Sequence, residues 1–447
     1  MKTKLFALLL ILPMMTFCTP DPIDPGQEGP EQPADTTQQQ PVDTNAVVEQ
    51  RDSTEIFDGA LVLATNPNVE KFLTEVTYPD HDYTYTKILD YPGGYNATRP
   101  ENEKVESDVP PQYNIYWKAN AEAGKLKFEM SDATWKMEQD INAGDSTVVV
   151  TNLVPNTHYT YKVTSTVTGE VMTKGEFDTY GSLHQVFFKK EVRNGRDLGG
   201  WKTYDGKMVK YRKVYRGGRL EAGTMTRSGI KGIEAEGIKA QLDIRGEDAN
   251  EKAAISGMDF CAPIVETGGD SMLKQRDTLR DEAGNAMYEM VTNPQTGKEE
   301  KKYLWGAYKM YHCMQFIIDC VKADKPVYFH CSLGRDRTGT LAMVVLGVLD
   351  VIEGDISKEY EVSYFSPRGW SIAYSETYKT FQNTRTKWAY KPAAEYIWKN
   401  YVNGDERFSK GVERYLLEIG ISQADIDTFR ELMLTEPYPE KTPVAAE

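Results

Sequence analysis

The ten residues HCSLGRDRTG, at positions 330–339, combine side chains and spacing that can bind a phosphate group and transfer it. The apolar run KPVYFH before them predicts a strand, and the run TGTLAMVVLGVLDV predicts a helix that begins within them. Backbone N–H groups in such a loop can point inward, and the helix N-terminus adds a positive potential. Gly334 and Gly339 allow the backbone to approach an anion closely. The loop can therefore cradle a phosphate monoester.

Cys331 and Arg337 are the residues that we expect to carry the chemistry. A thiolate at a helix N-terminus beside an arginine can be ionised at neutral pH, whereas an isolated buried cysteine stays protonated. Arg337 can offer its planar fork to two phosphate oxygens and to the charge of the transition state. In the alternative, Cys331 is a core cysteine and Arg337 a surface charge, which requires the whole pattern to arise by chance. The predicted phosphate-binding residues are Ser332, Leu333, Gly334, Arg335, Asp336 and Arg337, the first two through their backbone only.

The loop resembles the C-x5-R-[S/T] signature of protein tyrosine phosphatases, and more narrowly that of an atypical bacterial group with loops of the form HCxxGKDRTG. The resemblance implies activity on phosphotyrosine, sometimes on phosphoserine or phosphothreonine, and on phosphoinositides. Arg335 replaces the usual lysine. It keeps the positive charge, but on a planar guanidinium rather than a compact ammonium group, so a lipid preference tied to that lysine is not implied here. The resemblance extends to NGRDLGG upstream and to SKEYEVSYF and YLLEIGIS downstream, roughly residues 187 to 435.

The resemblance also implies roles for residues around the cysteine. His330 would orient Cys331 through hydrogen bonds. Thr338 would hydrogen-bond the sulfur and help it leave when water hydrolyses the intermediate. In RDLGG, Arg196 and Asp197 are expected to form a buried pair that supports the site. Arg216 and Arg219, in the YR-x-G-x-L element, are expected to be scaffold or rim.

A general acid must protonate the leaving oxygen, and the sequence offers two candidates. The common Trp-Pro-Asp tripeptide does not occur. The resemblance points to Asp336, which would act as the acid if its pKa is raised, or would instead pair with Arg335 or Arg337. Asp243 is the second candidate, because LDIR ends a predicted strand on the side where α/β sheets form their sites. Arg245 would bind phosphate or pair with Asp243.

Composition narrows the choice of partners. The chain has 447 residues and a formal net charge of -15, which repels polyanions, so we expect no nucleic-acid partner. The histidines and cysteines do not fall at ligand spacing, so we predict no metal, and the chemistry requires no cofactor. Cys313 and Cys320 lie on one face of a predicted helix, where core packing is expected.

The N-terminal residues predict export. Residues 1–18, MKTKLFALLLILPMMTFC, place two lysines before an apolar run too short to span a bilayer, which is typical of a secretory signal. The end at Cys18 resembles a bacterial lipoprotein signal, in which the cysteine is acylated; ordinary cleavage is the alternative. Residues 19–53 are rich in Pro, Gln, Asp and Thr and predict a disordered tether. We therefore expect a lipoprotein of the bacterial cell envelope, anchored through Cys18 on the periplasmic or surface side.

The rest of the chain divides into three parts, and we expect a multidomain protein. Residues 54–107 form an N-terminal extension whose pattern assigns no fold. Residues 108–180 carry short β-rich runs that predict an all-β sandwich, and NLVPNTHYTYKV there resembles the tyrosine-corner region of fibronectin type III domains. Residues 187–435 predict an α/β tyrosine-phosphatase-like catalytic domain with a central, mostly parallel sheet. Within it, residues 270–302 suggest an inserted loop or hairpin near the site.

The predicted function is hydrolysis of phosphate monoesters through a cysteinyl-phosphate intermediate, on protein phosphotyrosine or with dual specificity. A phosphoinositide or inositol phosphate substrate is an alternative, since the loop chemistry is indifferent to what carries the phosphate. An inactive phosphate-binding or adhesion module is an alternative of another class, and the intact Cys331 and Arg337 argue against it. The RTG ending and the helix after it argue against a sulfur-transfer enzyme.

Overall fold

The computed structural model describes residues 59–81, 87–94, 104–188, 192–221, 223, 225–246, 249–366 and 389–436. The predicted signal, the tether and Cys18 lie outside the described residues. Asp52–Glu447 form one compact unit. Within the described ranges, no helix is both long and apolar enough to span a bilayer.

Two sheets in the first half of the described chain share one hydrophobic core. Their elements and the first helix are β1 (Leu61–Leu63), α1 (Pro67–Glu75), β2 (Tyr113–Tyr116), β3 (Leu126–Ser131), β4 (Lys136–Ile141), β5 (Thr147–Val150), β6 (His158–Ser165) and β7 (Val171–Tyr180). One sheet has the order β1-β7-β6-β3-β4, and β2 pairs with β5. Alternate residues of β3 and β6 point inward, as period-two strands require. Both sheets form here, and the fibronectin type III-like sandwich stays a prediction.

The second half builds a mixed α/β unit. Its elements are β8 (Arg196–Asp197), β9 (Met208–Val209), β10 (Val214–Gly217), α2 (Arg227–Ala235), β11 (Ala240–Asp243), β12 (Asp259–Cys261), α3 (Asp270–Lys274), β13 (Arg276–Thr278), β14 (Tyr288–Thr292), β15 (Glu299–Tyr303), β16 (Trp305–Tyr308), α4 (Lys309–Lys322), β17 (Val327–His330), α5 (Asp336–Val348), α6 (Glu353–Val362), α7 (Tyr390–Tyr401), α8 (Phe408–Ile419), α9 (Gln423–Met433) and β18 (Leu434–Thr435). Short 3-10 turns occupy Ile88–Asp90, Ala121–Ala123 and Ser363–Phe365.

The central sheet has the order β12-β11-β17-β10-β8. Its first four strands are parallel, and β8 pairs antiparallel with β10 at the edge. Every residue of β10, β11 and β17 is buried, which explains their near-continuous apolar sequences. The prediction of a phosphatase-like α/β domain with a mostly parallel sheet is confirmed. Cys313 and Cys320 are buried in its core, as expected.

Helix α1 belongs to the core of this α/β unit, although it lies between β1 and β2 of the first-half sheets along the chain. Its Val69, Phe72 and Leu73 are buried in the same hydrophobic cluster as the central sheet. The N-terminal extension, which the sequence left without a fold, therefore contributes one strand to the first-half sheet and one helix to the α/β core.

Candidate active site

Strand β17 and helix α5 position the phosphate loop. β17 lies between β10 and β11 in the middle of the sheet and ends at His330, and α5 begins at Asp336. The loop between them therefore emerges at the carboxyl edge of the sheet, where α/β proteins place their ligands. Cys331 is the first loop residue and is 4% exposed.

The thiol of Cys331 lies in a local environment that stabilises the thiolate. Burial raises its pKa, but hydrogen bonds from the hydroxyl and the backbone N–H of Thr338 outweigh that effect, and the charge of Arg337 adds to them. The net pKa is lower than its ordinary value of 9.0. The Thr338 Oγ1 also accepts from the Cys331 N–H at 2.8 Å, which holds the hydroxyl beside the cysteine. The role expected of Thr338 in releasing the sulfur stays a prediction.

Scaffold donors bind the carbonyl groups of the loop. The Asn194 Nδ2 donates to the carbonyl oxygens of Leu333 at 3.3 Å and Gly334 at 2.9 Å, and the Arg216 Nη2 donates to Gly334 at 2.6 Å. In a trans peptide the following N–H points away from the carbonyl. The N–H groups of Gly334 and Arg335 therefore point away from the scaffold, as a phosphate cradle requires.

A buried ion network supports these donors from behind. Glu359 accepts from the Arg196 Nε at 2.8 Å and from the Arg216 Nη1 at 2.6 Å. Arg196 also donates to the Asn194 side chain at 2.5 Å and to the Ser363 hydroxyl at 3.1 Å. Burial, together with the charge of Arg216, lowers the pKa of Arg196 to about 10. One carboxylate thus holds two arginines that position the loop.

The predicted pair between Arg196 and Asp197 does not form. Asp197 instead contacts the His184 Nδ1 at 3.1 Å and accepts from the Gly199 N–H at 2.8 Å and from the Arg212 N–H. The two residues are the consecutive residues of strand β8, and consecutive strand side chains point to opposite faces. Arg196 supports the loop, whereas Asp197 holds the turn that follows β8, through the Gly199 N–H. Of the two arginines expected to be scaffold or rim, Arg216 is buried scaffold and Arg219 is an exposed rim residue.

Arg335 and Asp336 bind each other. The Arg335 Nε and Nη2 donate to the two Asp336 oxygens at 2.9 and 3.0 Å, a bidentate geometry. The Tyr360 hydroxyl donates to the Asp336 Oδ1 at 3.2 Å, and the Arg335 guanidinium lies 5.7 Å from the ring centroid of Tyr364. Of the alternatives for Asp336, this structure contains the pair with Arg335.

Arg337 lies across the loop from the scaffold donors. Its Nη1 donates to the Val265 carbonyl at 2.9 Å. A Cβ atom added to Gly246 would lie 3.6 Å from the same nitrogen, so the guanidinium passes close to the backbone that follows Arg245. The side chain is therefore held at the loop by segments that follow β11 and β12.

Asp243 and Arg245 also pair with each other. The buried Asp243 carboxylate accepts from the Arg245 Nε and Nη2, at 3.0 and 2.9 Å, and from the backbone N–H groups of Arg245 and Asn250. Arg245 reaches Glu221 as well, at 2.6 Å. Both Asp243 oxygens are thus occupied as acceptors, and Arg245 pairs with carboxylates.

His330 is held as a neutral ring. Burial lowers its pKa to about 4. The Gln241 amide lies 2.9 Å from its Nε2 and the Cys331 carbonyl lies 3.3 Å from its Nδ1. The Gln241 Oε1 accepts from the Ala254 N–H, so its amide nitrogen is the group that faces the ring. His330 therefore accepts at Nε2, donates from Nδ1 and orients the backbone of the cysteine.

Sequence reasoning missed three of these residues: Asn194, Gln241 and Glu359. A polar Gln241 inside the apolar strand KAQLDIRG was a usable signal, because a buried amide needs partners. The partners of Asn194 and Glu359 lie far away along the chain and leave no local pattern. Among the described residues no three His, Cys, Asp or Glu side chains group as metal ligands would.

Comparison with known proteins gives the family of the chain. Residues 189–435 match the tyrosine phosphatase family, and this range is more than half of the chain. The chain belongs to the tyrosine phosphatase family. Its predicted membership of this family is confirmed.

Two individual proteins are similar to it. A provisionally named tyrosine-protein phosphatase of Cupriavidus necator is 27% identical over 176 residues, which are 38% of this chain and 59% of that protein. The chain thus spans well under two thirds of that relative. The core catalytic domain of a PP-IP phosphatase from S. cerevisiae, solved in complex with citrate, matches 41% of this chain and 93% of its own, with 13% identity and a TM-score of 0.22.

Proposed function

We propose that this protein hydrolyses phosphate monoesters through a cysteinyl-phosphate intermediate, with Cys331 as the nucleophile. The observation that carries the proposal is the place of Cys331 in the loop between β17 and the N-terminus of α5, with the Thr338 Oγ1 2.8 Å from its backbone N. Hydrogen bonds from Thr338 there lower the pKa of the Cys331 thiol despite its burial. Cys261 provides the contrast within the same unit, because burial alone raises its pKa to about 11. A thiolate is the reactive form of cysteine.

The proposed reaction has two steps. The Cys331 sulfur bonds to phosphorus while the bond to the leaving oxygen breaks, and that oxygen takes a proton from Asp336. A water oxygen then attacks phosphorus, Asp336 takes its proton, and the sulfur leaves with its electron pair. Arg337 and the loop N–H groups bind the phosphate oxygens, whose charge they stabilise in both transition states.

Asp336 is the better candidate for the acid because of where the two carboxyl groups lie. The Asp336 side chain is 29% exposed beside the loop, whereas Asp243 is fully buried and accepts hydrogen bonds at both oxygens. The pair with Arg335 has to open before Asp336 can hold a proton. We propose that a bound phosphate dianion competes for the Arg335 fork and opens it.

We propose phosphotyrosine in proteins, with dual specificity as an extension, as the substrate class. The arginines around the loop favour one phosphate group over several, because few of them are available beyond Arg335 and Arg337. Arg245 pairs with Asp243 and Glu221, and Arg196 and Arg216 are buried around Glu359. A phosphoinositide or inositol phosphate substrate carries several phosphates and would need additional cations at the rim.

A steady-state assay with p-nitrophenyl phosphate, phosphotyrosine and an inositol phosphate tests this proposal. We expect the wild type to hydrolyse the first two, and Cys331→Ser to lose at least about a thousandfold in kcat. Cys261→Ser is the matched control and should retain full activity. A wild type that binds phosphate but hydrolyses none of the three would favour an inactive binding module instead.

We also propose that the chain is an exported lipoprotein, in which a fibronectin type III-like sandwich of residues 108–180 spaces the catalytic domain from the membrane. The two lysines, the apolar run and Cys18 at the start of the sequence support export and lipidation. The tyrosine corner supports the sandwich, because the Tyr159 hydroxyl accepts from the Val154 N–H at 3.0 Å. Fractionation of bacterial cells expressing the wild type and Cys18→Ser tests it. Release of the variant alone from the membrane fraction is the expected result.

A further inference from the structure

The segment 276–308 forms an antiparallel extension of the α/β unit, here called the hairpin. Strand β13 pairs with β16, and β14 pairs with β15. Asp277 fixes the base of the hairpin to α4, since its Oδ2 lies 2.8 Å from the His312 Nε2. The Arg276 guanidinium also lies 4.6 Å from the ring centroid of Tyr308. The hairpin is therefore held on the body of the molecule.

The hairpin begins on the side of the sheet that carries the phosphate loop. Helix α4 follows the hairpin and leads into β17, so it runs back from the carboxyl edge of the sheet to the amino edge. Its first residue, Lys309, donates to the Ile264 carbonyl, next to the Val265 that binds Arg337. Only the five-residue helix α3, about 7.5 Å long, and Gln275 lie between Gly269, whose N–H donates to Thr340, and the start of β13.

One face of the hairpin is aromatic and exposed. Tyr288 and Tyr303 are directly opposite in the ladder and their rings meet edge to face at 6.1 Å. The two-residue repeat of β14 places Met290 on the same side as Tyr288, and Trp305 follows two residues after Tyr303, at the start of β16. The exposed fractions are 44% for Tyr288, 45% for Tyr303, 52% for Met290 and 53% for Trp305. We call these four residues the aromatic face.

The charge of the hairpin is unsuited to a polyanion. Residues 276–308 contain five basic and six acidic side chains, a net charge of -1. Lys301 lies over the Tyr288 ring at 4.2 Å, and Lys302 pairs with Glu289 at 3.0 Å. An anionic membrane or an inositol polyphosphate would require a surplus of cations. Aromatic side chains on a rigid ladder instead suit the apolar side chains of a polypeptide.

We propose that the aromatic face binds the polypeptide that flanks the phosphorylated residue of the substrate. The inference rests on the proposed phosphatase function and narrows it to a protein substrate. An extended peptide spans about 3.3 Å per residue. Its phosphorylated side chain can therefore enter the loop while the flanking segment lies on the hairpin. The exposed Ile264, between the hairpin base and Val265, continues the apolar surface towards the loop.

Kinetics of the full chain with substrates of different length test the proposal. The substrates are p-nitrophenyl phosphate, phosphotyrosine amide and a phosphotyrosyl peptide of about 12 residues with apolar flanks, about 40 Å when extended. We expect the wild type to show about tenfold higher kcat/KM for the peptide than for the amide, through a lower KM. Trp305→Ser combined with Tyr303→Ser should remove that advantage and leave p-nitrophenyl phosphate hydrolysis within about twofold.

The matched control changes the opposite face of the same strand. Glu300→Ser combined with Lys302→Ser keeps the net charge and should keep the peptide advantage. If p-nitrophenyl phosphate is hydrolysed but the peptide has no advantage, or keeps it in the aromatic-face variant, the inference is wrong and the proposed function stands. The inference would also be wrong if the aromatic-face variant lost binding to phosphatidylserine vesicles while its peptide kinetics were unchanged. The aromatic face would then be a membrane-binding surface. A wild type that hydrolyses none of the substrates overturns both.

Discussion

The four described cysteines show how strongly local donors decide the behaviour of one residue type. Burial raises the pKa of Cys261 to about 11 and of Cys320 to about 12, and it raises that of Cys313 as well. Cys331 is also buried, yet its pKa is lowered because Thr338 donates to the sulfur. Burial alone would make Cys331 inert, so the proposed role as nucleophile depends on the hydroxyl and the helix N-terminus.

The first prediction concerns Thr338. Thr338→Val removes the hydroxyl that lowers the Cys331 pKa, so the thiol should ionise at higher pH and kcat/KM at pH 6 should fall roughly tenfold. The loss of kcat/KM occurs at low pH because only the thiolate reacts. The thiolate exists above the pKa, so a raised pKa removes it at low pH. The pH dependence of iodoacetamide alkylation measures this without substrate. Thr338→Ser keeps the hydroxyl and should keep the wild-type profile; an unchanged profile in Thr338→Val would contradict the argument.

The second prediction concerns the general acid. Asp336→Asn cannot give a proton, so kcat/KM, which reports the steps up to formation of the cysteinyl-phosphate, should fall by about a hundredfold or more for phenyl phosphate, whose leaving group needs one. The loss should be much smaller for p-nitrophenyl phosphate, whose leaving group is stable as an anion. Comparing the two substrates separates acid catalysis from a general disturbance of the loop. If Asp243→Asn shows this selective loss and Asp336→Asn does not, the roles are reversed.

At the scale of the element, the loop depends on a close backbone contact that only glycine allows. Gly334 has a φ of +65°, and a Cβ there would lie 2.3 Å from the carbonyl carbon and oxygen of Gly217. The neighbouring strand β10 is buried and cannot give way. We therefore expect the loop, rather than the strand, to move in a variant.

The third prediction follows. Gly334→Ala should lower kcat/KM for p-nitrophenyl phosphate by about a hundredfold or more, because the displaced loop loses the hydrogen bonds from Asn194 and Arg216. Gly284→Ala is the matched control: its φ is +84° and nothing lies within 4 Å of the added Cβ. It should carry a similar backbone strain of about 1 kcal/mol and leave kcat/KM unchanged. Equal losses in the two variants would show that strain, and not the contact, is responsible.

Elements were predicted from the sequence where one local signal was enough. The strand before Cys331, the helix after it and the hairpin near residues 270–302 all follow from periodicity and turn residues. The ion network did not follow, because Glu359 meets Arg196 across 163 positions of the chain. The pairing of Arg196 with Asp197 was wrong because β8 is only two residues long and its alternation of faces leaves no pattern in the sequence.

At the scale of the whole molecule, polar contacts join the first-half sheets to the α/β unit. The Trp135 Nε1 donates to the Ala235 carbonyl at 2.8 Å. The Asn194 N–H donates to Asp108, at the start of the predicted sandwich, at 3.3 Å. The amphipathic pattern of α1 predicts a buried face without identifying which core it joins, so its place against the central sheet could not be predicted.

The last prediction tests the contact between the two halves. The Arg212 side chain pairs with Asp132, donates to the Tyr159 hydroxyl at 3.1 Å and lies 4.3 Å from the ring centroid of Trp135. The Arg212 and Asp132 side chains are 12% and 4% exposed, so Arg212→Met leaves a buried carboxylate without its partner. The free energy of unfolding should fall by about 3 kcal/mol.

Urea unfolding, followed both by tryptophan fluorescence and by p-nitrophenyl phosphate hydrolysis, measures the effect of Arg212→Met. Lys213→Met is the matched control, since Lys213 pairs with Asp324, whose side chain is 81% exposed, and its loss should cost less than about 1 kcal/mol. Because Arg212 also donates its backbone N–H to Asp197, which a side-chain change preserves, kcat/KM in the absence of urea should stay near the wild-type value. If the two variants unfold at the same urea concentration, the Arg212 contact does not hold the halves together. If fluorescence and activity are lost together in the wild type but separately in Arg212→Met, the contact couples the sheets of the first half to the catalytic loop.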